Sequence, residues 1–223
     1  MSNAVEPFPY EIHDLDEEII EKYPGTLRNY FRISKSDRTM YGFLVFRGQI
    51  LYLVRNPKDV CVSTYLLMNT FTVLGPTVEF ETFWEKFKQG LVFTTPYFEH
   101  VKEGWKLRNH ENVLFLNYDE HTKDMRQTIL EVADFLEKKL TDQDLNTLEN
   151  HLKIENFRKN KAVNNDHLKV IGVMKNSDDG FIRKGKVGGW RDYFKGNLNV
   201  EADKWIEENL RNTDLEFIQP ADN

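Results

Sequence analysis

The segment Leu51–Tyr65, with the sequence LYLVRNPKDVCVSTY, constrains the fold more than any other part of this chain. Residues Ile50–Val54 are apolar throughout, which predicts a strand that is buried on both faces. Pro57 presets the backbone for a first helical turn, and Asp59 places a negative charge near the positive end of that helix. The segment therefore predicts a strand, a short turn and the start of a helix.

A helix that starts in this way can bind an anion. Its first N–H groups have no partner within the helix and point outward. Arg55 follows the strand, and Ser63 lies one turn beyond Asp59 on the same helix face, so a guanidinium and a hydroxyl can bind one phosphate. An ordinary strand-to-helix junction with a surface arginine explains this segment equally well, and the two interpretations stay open here.

Composition limits the class of protein. The chain has 223 residues, of which 40% are hydrophobic and 30% charged, and this predicts a single α/β domain over residues 1–223. The net charge of −6 disfavours nucleic acid and anionic lipid as partners, so an anion site requires a local cluster of cations. The sixteen phenylalanines are expected to build the core.

Cysteine content and hydropathy restrict location and metal chemistry. Cys61 is the only cysteine, which excludes an internal disulfide and a cysteine-rich metal site, and no metal is expected. A buried, inert thiol is favoured for it over a reactive one. No apolar stretch approaches the ~18 residues that a membrane span requires, and the acidic N-terminus has no signal-peptide core. A cytoplasmic protein without membrane contact is expected.

Periodicity predicts strands and helices in alternation. Phe43–Phe46 and Gln49–Val54 are expected to form a hairpin around Arg47 and Gly48, and Val113–Leu116 a second buried strand. A short strand is predicted at residues 214–217 and a mobile loop at Asn176–Gly180. Predicted helices cover Asp14–Lys22, Asp59–Met68, Glu79–Gly90, Pro96–Arg108, Lys123–Lys138, Asp142–Leu152 and Val200–Leu210.

A second cationic segment lies at Phe181–Phe194, with the sequence FIRKGKVGGWRDYF. Its cations are interleaved with glycines, so its backbone can fold around a phosphate while arginine donates two parallel hydrogen bonds. A solvated basic turn in front of an anchoring Trp190 is the alternative. The residues concerned are Arg183, Lys184, Lys186 and Arg191, with Gly185, Gly188 and Gly189.

Together the two segments resemble the cytosolic sulfotransferase family. RNPKDVCVS is similar to that family's 3′-phosphate motif, and RKGKVGGW to its RKGxxGDW signature. The resemblance implies a P-loop-like α/β fold, with a parallel sheet flanked by helices. It also implies 3′-phosphoadenosine 5′-phosphosulfate (PAPS) as co-substrate, with 3′-phosphoadenosine 5′-phosphate (PAP) as the spent nucleotide. The residues that would hold its 3′-phosphate are Arg55, Ser63, Arg183, Lys184 and Gly185.

The resemblance extends along the chain from Gln49 to the C-terminus. Tyr118, in NYDEHTKDM, matches a tyrosine that lies near the adenine ring in the family. The opening FPYEIHDLDEE resembles the invertebrate branch, which includes retinol dehydratase. The family implies transfer of a sulfuryl group to a hydroxyl or amine of a small apolar acceptor, such as a phenol, alcohol or amine. A catalytically inactive PAP-binding relative, or a truncated product, is the alternative.

Two family segments have no counterpart before Gln49. One is the sulfate-binding loop of the form YPKSGTTW, and the other is the KTHLP segment that carries the catalytic histidine. The chain has no histidine between His13 and His100, so no catalytic residue is assigned. The other histidines are expected at the surface or at helix ends.

The interval from Phe31 to Gln49 is shorter than the ~30 residues of a strand-helix-strand unit. We therefore expect residues 1–48 to be a divergent or truncated N-terminal part, reduced by splicing, gene decay or an erroneous gene model. A destabilised, oligomerising or poorly soluble product is predicted.

Three further departures from the family are smaller. Gly189 replaces the usual aspartate of the signature, and Leu152 and Ile154 replace residues that contact adenine in many members. The dimer motif that follows Trp190 is not preserved, because Lys195 and Gly196 stand in place of its threonine and valine. The usual family dimer is therefore not expected.

Overall fold

The computed structural model describes residues 49–72, 78–92, 95–176, 180–183 and 185–217, together with the backbone of the strands within residues 11–46. The predicted helix Asp14–Lys22 and residues 177–179 of the predicted loop lie outside the described residues. Backbone contacts divide the chain into two units, residues 1–54 with 99–118, and residues 55–98 with 119–223. A single domain over the whole chain stays a prediction.

The first unit contains two three-stranded sheets. Strands β1 (Glu11–His13), β2 (Arg32–Lys35) and β3 (Arg38–Met40) form an antiparallel sheet in that order. Strands β4 (Phe43–Phe46), β5 (Gln49–Val54) and β6 (Val113–Asn117) form the other.

Strand pairing in the second of these sheets confirms two predictions. Strands β4 and β5 are antiparallel with Phe46 opposite Gln49, so the predicted hairpin is correct. Strands β5 and β6 run parallel from Ile50 opposite Val113 to Val54 opposite Asn117. Parallel neighbours joined through helices confirm the α/β class.

The helices predicted within the described residues are present with small shifts of their ends, whereas the short helices at Tyr118–His121, Ile154–Phe157 and His167–Val170 are not predicted from the sequence. Residues 214–217, predicted as a strand, have no regular structure, and Leu215 is held by burial at 3% exposure instead of by strand pairing. None of the helices in the described ranges is long and apolar enough to cross a bilayer. The helices are α1 (Pro57–Thr70), α2 (Phe80–Lys88), α3 (Tyr97–Lys106), α4 (Tyr118–His121), α5 (Met125–Phe135), α6 (Asp142–Leu152), α7 (Ile154–Phe157), α8 (His167–Val170) and α9 (Asn197–Leu210), with a 3₁₀ turn at Gly189–Asp192.

Strand β5 is buried on one face only, so the prediction that both its faces are buried is wrong. Ile50, Tyr52 and Val54 are at most 3% exposed, whereas Leu53, on the opposite face, is 52% exposed. Side chains alternate between the two faces of a strand, so a covering layer on one side buries only every second residue. An apolar run in the sequence does not show whether a layer covers the second face of the strand.

The buried face of β5 packs against helix α3. The Tyr52 ring stacks on Phe115 with 4.9 Å between centroids, and its hydroxyl lies 2.9 Å from His100 Nδ1. His100 lies in the first turn of α3, as expected for a helix-end histidine, and its ring is half-buried. Burial lowers the pKa of His100 to about 4 and raises that of Tyr52.

His100 makes stability depend on pH. The unfolded chain binds a proton there near pH 6.5, whereas the folded protein binds it only near pH 4, so the free energy of unfolding should fall as the pH falls between these values. We expect a loss of about 1.5 kcal/mol between pH 6.5 and pH 5 from this group. Urea titrations at both pH values should show a smaller loss for His100→Gln, while the exposed control His167→Gln should match the wild type. Equal losses in all three proteins would show that the pKa of His100 does not differ between the folded and unfolded states.

The second unit is built around aromatic side chains. The Trp84 ring packs edge-on against Phe194 and Trp205, each with 5.1 Å between centroids, and Trp205 also contacts Phe98. Trp84 is fully buried, as is Cys61 in helix α1, and burial raises the pKa of the Cys61 thiol. The aromatic residues thus build a core as predicted, and the predicted burial of Cys61 is confirmed.

Candidate functional site

Helix α1 begins with a strong cap. Asn56 is the N-cap residue, and its side-chain oxygen accepts a hydrogen bond from the backbone N–H of Lys58. The backbone N–H of Asn56 donates to the buried Asp119 carboxylate over 3.0 Å. Burial raises the pKa of Asp119, and this hydrogen bond opposes the rise. Both the side chain and the backbone N–H of Asn56 therefore hold the turn that precedes helix α1.

Arg55 links this turn to the second cationic segment. Its Nη2 donates a hydrogen bond of 3.0 Å to the carbonyl of Lys186 and lies 3.8 Å from Oδ1 of Asp59. The Arg55 carbonyl accepts a hydrogen bond from the Tyr97 hydroxyl. The structure thus brings together the two segments on which the sequence hypothesis depends.

Asp59 makes the closest connection between these segments. Its side chain is 3% exposed, and its two oxygens accept hydrogen bonds from the backbone N–H groups of Gly188, over 2.7 Å, and Trp190, over 3.1 Å. The second cationic segment, Phe181–Phe194, is called the glycine-rich segment below, and the sequence predicts that its N–H groups bind a phosphate. Two of those groups are already bound to a carboxylate of the protein itself.

Lys58 was not singled out from the sequence, although it is only 1% exposed. Its ammonium lies 3.4 Å from the centroid of the Trp190 ring and donates to Asp203 over 2.6 Å and to Asn199 over 2.9 Å. Burial lowers its pKa, and the Asp203 carboxylate opposes that shift. A lysine in the first turn of a helix usually reaches solvent, so nothing in the local sequence signals this burial.

Arg183 and its neighbours are available to a ligand. The Arg183 side chain is partly exposed, and within the described part of the chain no hydrogen bond or ion pair engages it. Likewise, no hydrogen bond among the described residues uses the N–H groups of Gly185 and Lys186. Lys184, predicted as a site residue, lies outside the described residues.

Gly185 is required at its position for two reasons. Its φ is +62°, a conformation that other residues rarely adopt, and a Cβ there would lie 3.1 Å from Cδ1 of Ile154. Ile154 thus borders the predicted phosphate site.

Ser63 and Tyr118 are less closely tied to these residues. Ser63 is partly exposed in helix α1, and none of the hydrogen bonds between described residues joins it to Arg55. Tyr118 belongs to the first unit, where it begins helix α4 directly after β6. The roles predicted for both residues stay predictions.

Gly188 and Gly189 should respond in opposite ways to alanine. Gly188 has φ +80°, so an alanine there is strained and should cost about 1–2 kcal/mol. At Gly189 a Cβ would make only an ordinary 3.8 Å contact with Asp59 Oδ1, and alanine should stabilise by roughly 0.4–1 kcal/mol. Thermal melting of the two single variants tests this pair. A lower Tm for Gly189→Ala would contradict the described backbone.

Comparison with known proteins identifies the family of this chain. The family model for the sulfotransferase domain matches residues 40–214, which is most of the chain. The chain belongs to the sulfotransferase family. It is similar to the amine sulfotransferase of Oryctolagus cuniculus, with 30% identity over 77% of this chain and 58% of that protein. Sulfotransferase 1B1 of Mus musculus is 36% identical over 76% of this chain and 56% of its own length.

Solved sulfotransferase structures support the same assignment. The crystal structure of retinol dehydratase in complex with androsterone and the inactive cofactor PAP matches with a TM-score of 0.72 and 44% identity, over 76% of this chain and 49% of that one. Mouse sulfotransferase SULT7A1 in complex with PAP matches with a TM-score of 0.64 and 30% identity. The chain spans less than two thirds of the length of these relatives.

Proposed function

We propose that this chain is a PAPS-dependent sulfotransferase, which transfers a sulfuryl group to a hydroxyl or amine of a small apolar acceptor. Arg55, Ser63, Arg183, Lys184 and Gly185 hold the 3′-phosphate of the nucleotide, and Tyr118 lies near its adenine. Bound PAPS would supply the activated sulfuryl group: a bond from sulfur to the acceptor oxygen or nitrogen would form, the bond from sulfur to the phosphate oxygen would break with PAP as the leaving group, and the acceptor proton would pass to solvent.

The main support for this proposal is the exposure of Arg183 and the lack of a bonding partner for its side chain among the described residues. Its guanidinium is partly exposed and unengaged among the described residues, and the N–H groups of Gly185 and Lys186, two and three residues further along the chain, are also available. Guanidinium groups bind phosphate through two parallel hydrogen bonds, and adjacent N–H groups add directed donors. The residues present therefore fit the 3′-phosphate of PAP.

Arg55 completes the binding arrangement from the other segment. Because its guanidinium already holds the Lys186 carbonyl, it ties the glycine-rich segment to the start of helix α1. Two cations and a helix N-terminus then face one anion, which offsets the net negative charge of the chain at this point.

The relatives support a proposal for the acceptor. One relative is named an amine sulfotransferase, and retinol dehydratase has been crystallised with retinol and with androsterone. We propose an acceptor from the same broad range, an apolar alcohol, phenol or amine, and a cytoplasmic location.

Two measurements test the proposed function. Calorimetric titration with PAP should show saturable binding at one site. Incubation with PAPS carrying a radioactive sulfate should label an acceptor from a panel that contains retinol, androsterone, a phenol and an amine. Saturable PAP binding with transfer to one acceptor supports the proposal, whereas absence of both would overturn it.

A further inference from the structure

The Asp59 carboxylate occupies a position where the glycine-rich segment closes around an anion. It accepts hydrogen bonds from Gly188 and Trp190, the two residues that flank Gly189, and its Oδ1 lies 3.8 Å from Nη2 of Arg55. A carboxylate that is 3% exposed must be satisfied by such donors, since burying an unpaired charge is costly. The Asp59 carboxylate thus binds the N–H groups of this segment as a bound anion would.

These contacts fix the segment Lys186–Trp190 at three points. Asp59 holds it at Gly188 and at Trp190, and Arg55 holds it at the Lys186 carbonyl. The Trp190 side chain is held in addition by the ammonium of Lys58. The segment directly follows Gly185, and Arg183 lies two residues before that glycine, so its anchoring also limits where those two residues can lie.

We propose that Asp59 is a positioning residue for the nucleotide 3′-phosphate, which orders the glycine-rich segment before the ligand arrives and leaves the N–H groups of Gly185 and Lys186 to the phosphate. This inference rests on the proposed function. Ordering the segment in advance removes part of the conformational entropy that binding would otherwise have to overcome.

The direction in which Asp59→Asn changes the affinity for PAP distinguishes a positioning role from a purely electrostatic one. Asp59 is negative and close to Arg55, so its charge alone repels a phosphate, and Asp59→Asn should then bind PAP more tightly. In asparagine an NH₂ donor replaces one of the two carboxylate oxygens, so the N–H group bound to that oxygen loses its acceptor and faces a donor. If Asp59 positions the segment, Asp59→Asn should bind PAP roughly tenfold more weakly, the scale of one lost charge-assisted hydrogen bond.

Asp192→Asn is the matched control. Asp192 is exposed and lies two residues after Trp190, and within the described residues no hydrogen bond or ion pair engages its side chain. This substitution removes the same charge without removing an anchor, so its Kd for PAP should stay within about twofold of the wild type, as for most surface substitutions. Tighter PAP binding by Asp59→Asn, or equal weakening by both variants, would overturn the proposal.

Hydrogen exchange in the wild type tests the anchoring without any substitution. In the nucleotide-free protein the amides of Gly188 and Trp190 should exchange slowly, because they are bonded to a buried carboxylate, while those of Gly185 and Lys186 should exchange quickly. PAP should slow exchange at Gly185 and Lys186 only. Fast exchange at Gly188 and Trp190 in the free protein would show that Asp59 does not anchor the segment.

The two proposals fail in different ways. If the wild type does not bind PAP, both the proposed function and the positioning role fall, even where Gly188 and Trp190 exchange slowly. If the wild type binds PAP and Asp59→Asn binds it equally well, the proposed function stands and the positioning role alone is rejected.

Discussion

Gly104→Ala is expected to destabilise the protein by about 3 kcal/mol, although alanine normally favours a helix over glycine by ~1 kcal/mol. A Cβ added at Gly104, within helix α3, would lie 2.5 Å from Cε2 and 2.6 Å from Cζ of Tyr52. The Tyr52 ring is 2% exposed, stacked on Phe115 and hydrogen-bonded at His100, so it cannot move aside without losing those contacts. The clash therefore outweighs the gain in helix propensity.

Thermal and urea denaturation measure this effect. For a chain of this size the loss corresponds to a decrease of roughly 6–12 °C in Tm. Tyr52→Leu provides the control, because removal of the ring makes room for the new methyl group. Gly104→Ala should cost much less in the Tyr52→Leu background, and this non-additivity identifies the contact as the cause. A higher Tm for Gly104→Ala alone would show that helix α3 and strand β5 do not pack as described.

Arg183→Ala is expected to weaken PAP binding by about 1.5–3 kcal/mol, which is roughly a 10- to 150-fold increase in Kd. The reason is the loss of a charged, two-pronged donor from a site where the described residues leave it unengaged. Arg183→Lys keeps the charge but not the fork, so its Kd should lie between those of the wild type and the alanine variant.

Arg211→Ala is the matched control for this experiment. Arg211 is exposed at the end of helix α9 and loses the same charge on substitution. Its Kd for PAP, measured by the same calorimetric titration, should equal that of the wild type. If Arg183→Ala also binds PAP as the wild type does, the predicted 3′-phosphate site is not formed around Arg183.

Much of the fold could be predicted because it depends on local sequence. Helix α6 has the predicted ends, Asp142 and Leu152, because Thr141 caps it in a capping box with Asp144. The hairpin of β4 and β5 also agrees with the two apolar runs and the short interval between them. The strand predicted at residues 214–217 is absent because four alternating residues, DLEF, do not specify a pairing partner.

The individual residues of the candidate site could be predicted from the sequence more readily than the contacts between them. Arg55 and Arg183 were identified from motifs, and a cation beside glycines or before a helix is visible in the sequence. The buried Lys58 and the anchoring role of Asp59 were not identified. Both residues lie in a first helical turn, where charged side chains usually face solvent.

By itself, the sequence determined the α/β class, the strand-turn-helix at Leu51–Tyr65 and membership of the sulfotransferase family. These depend on periodicity, capping and motifs, which act over short stretches of chain. Only the tertiary structure decided which groups of the two cationic segments meet. Gly188 and Asp59 are 129 residues apart, and Lys58 and Asp203 are 145 apart. Hydrogen bonds over such separations follow from how the whole chain packs, because no local pattern specifies the partner of a buried charge.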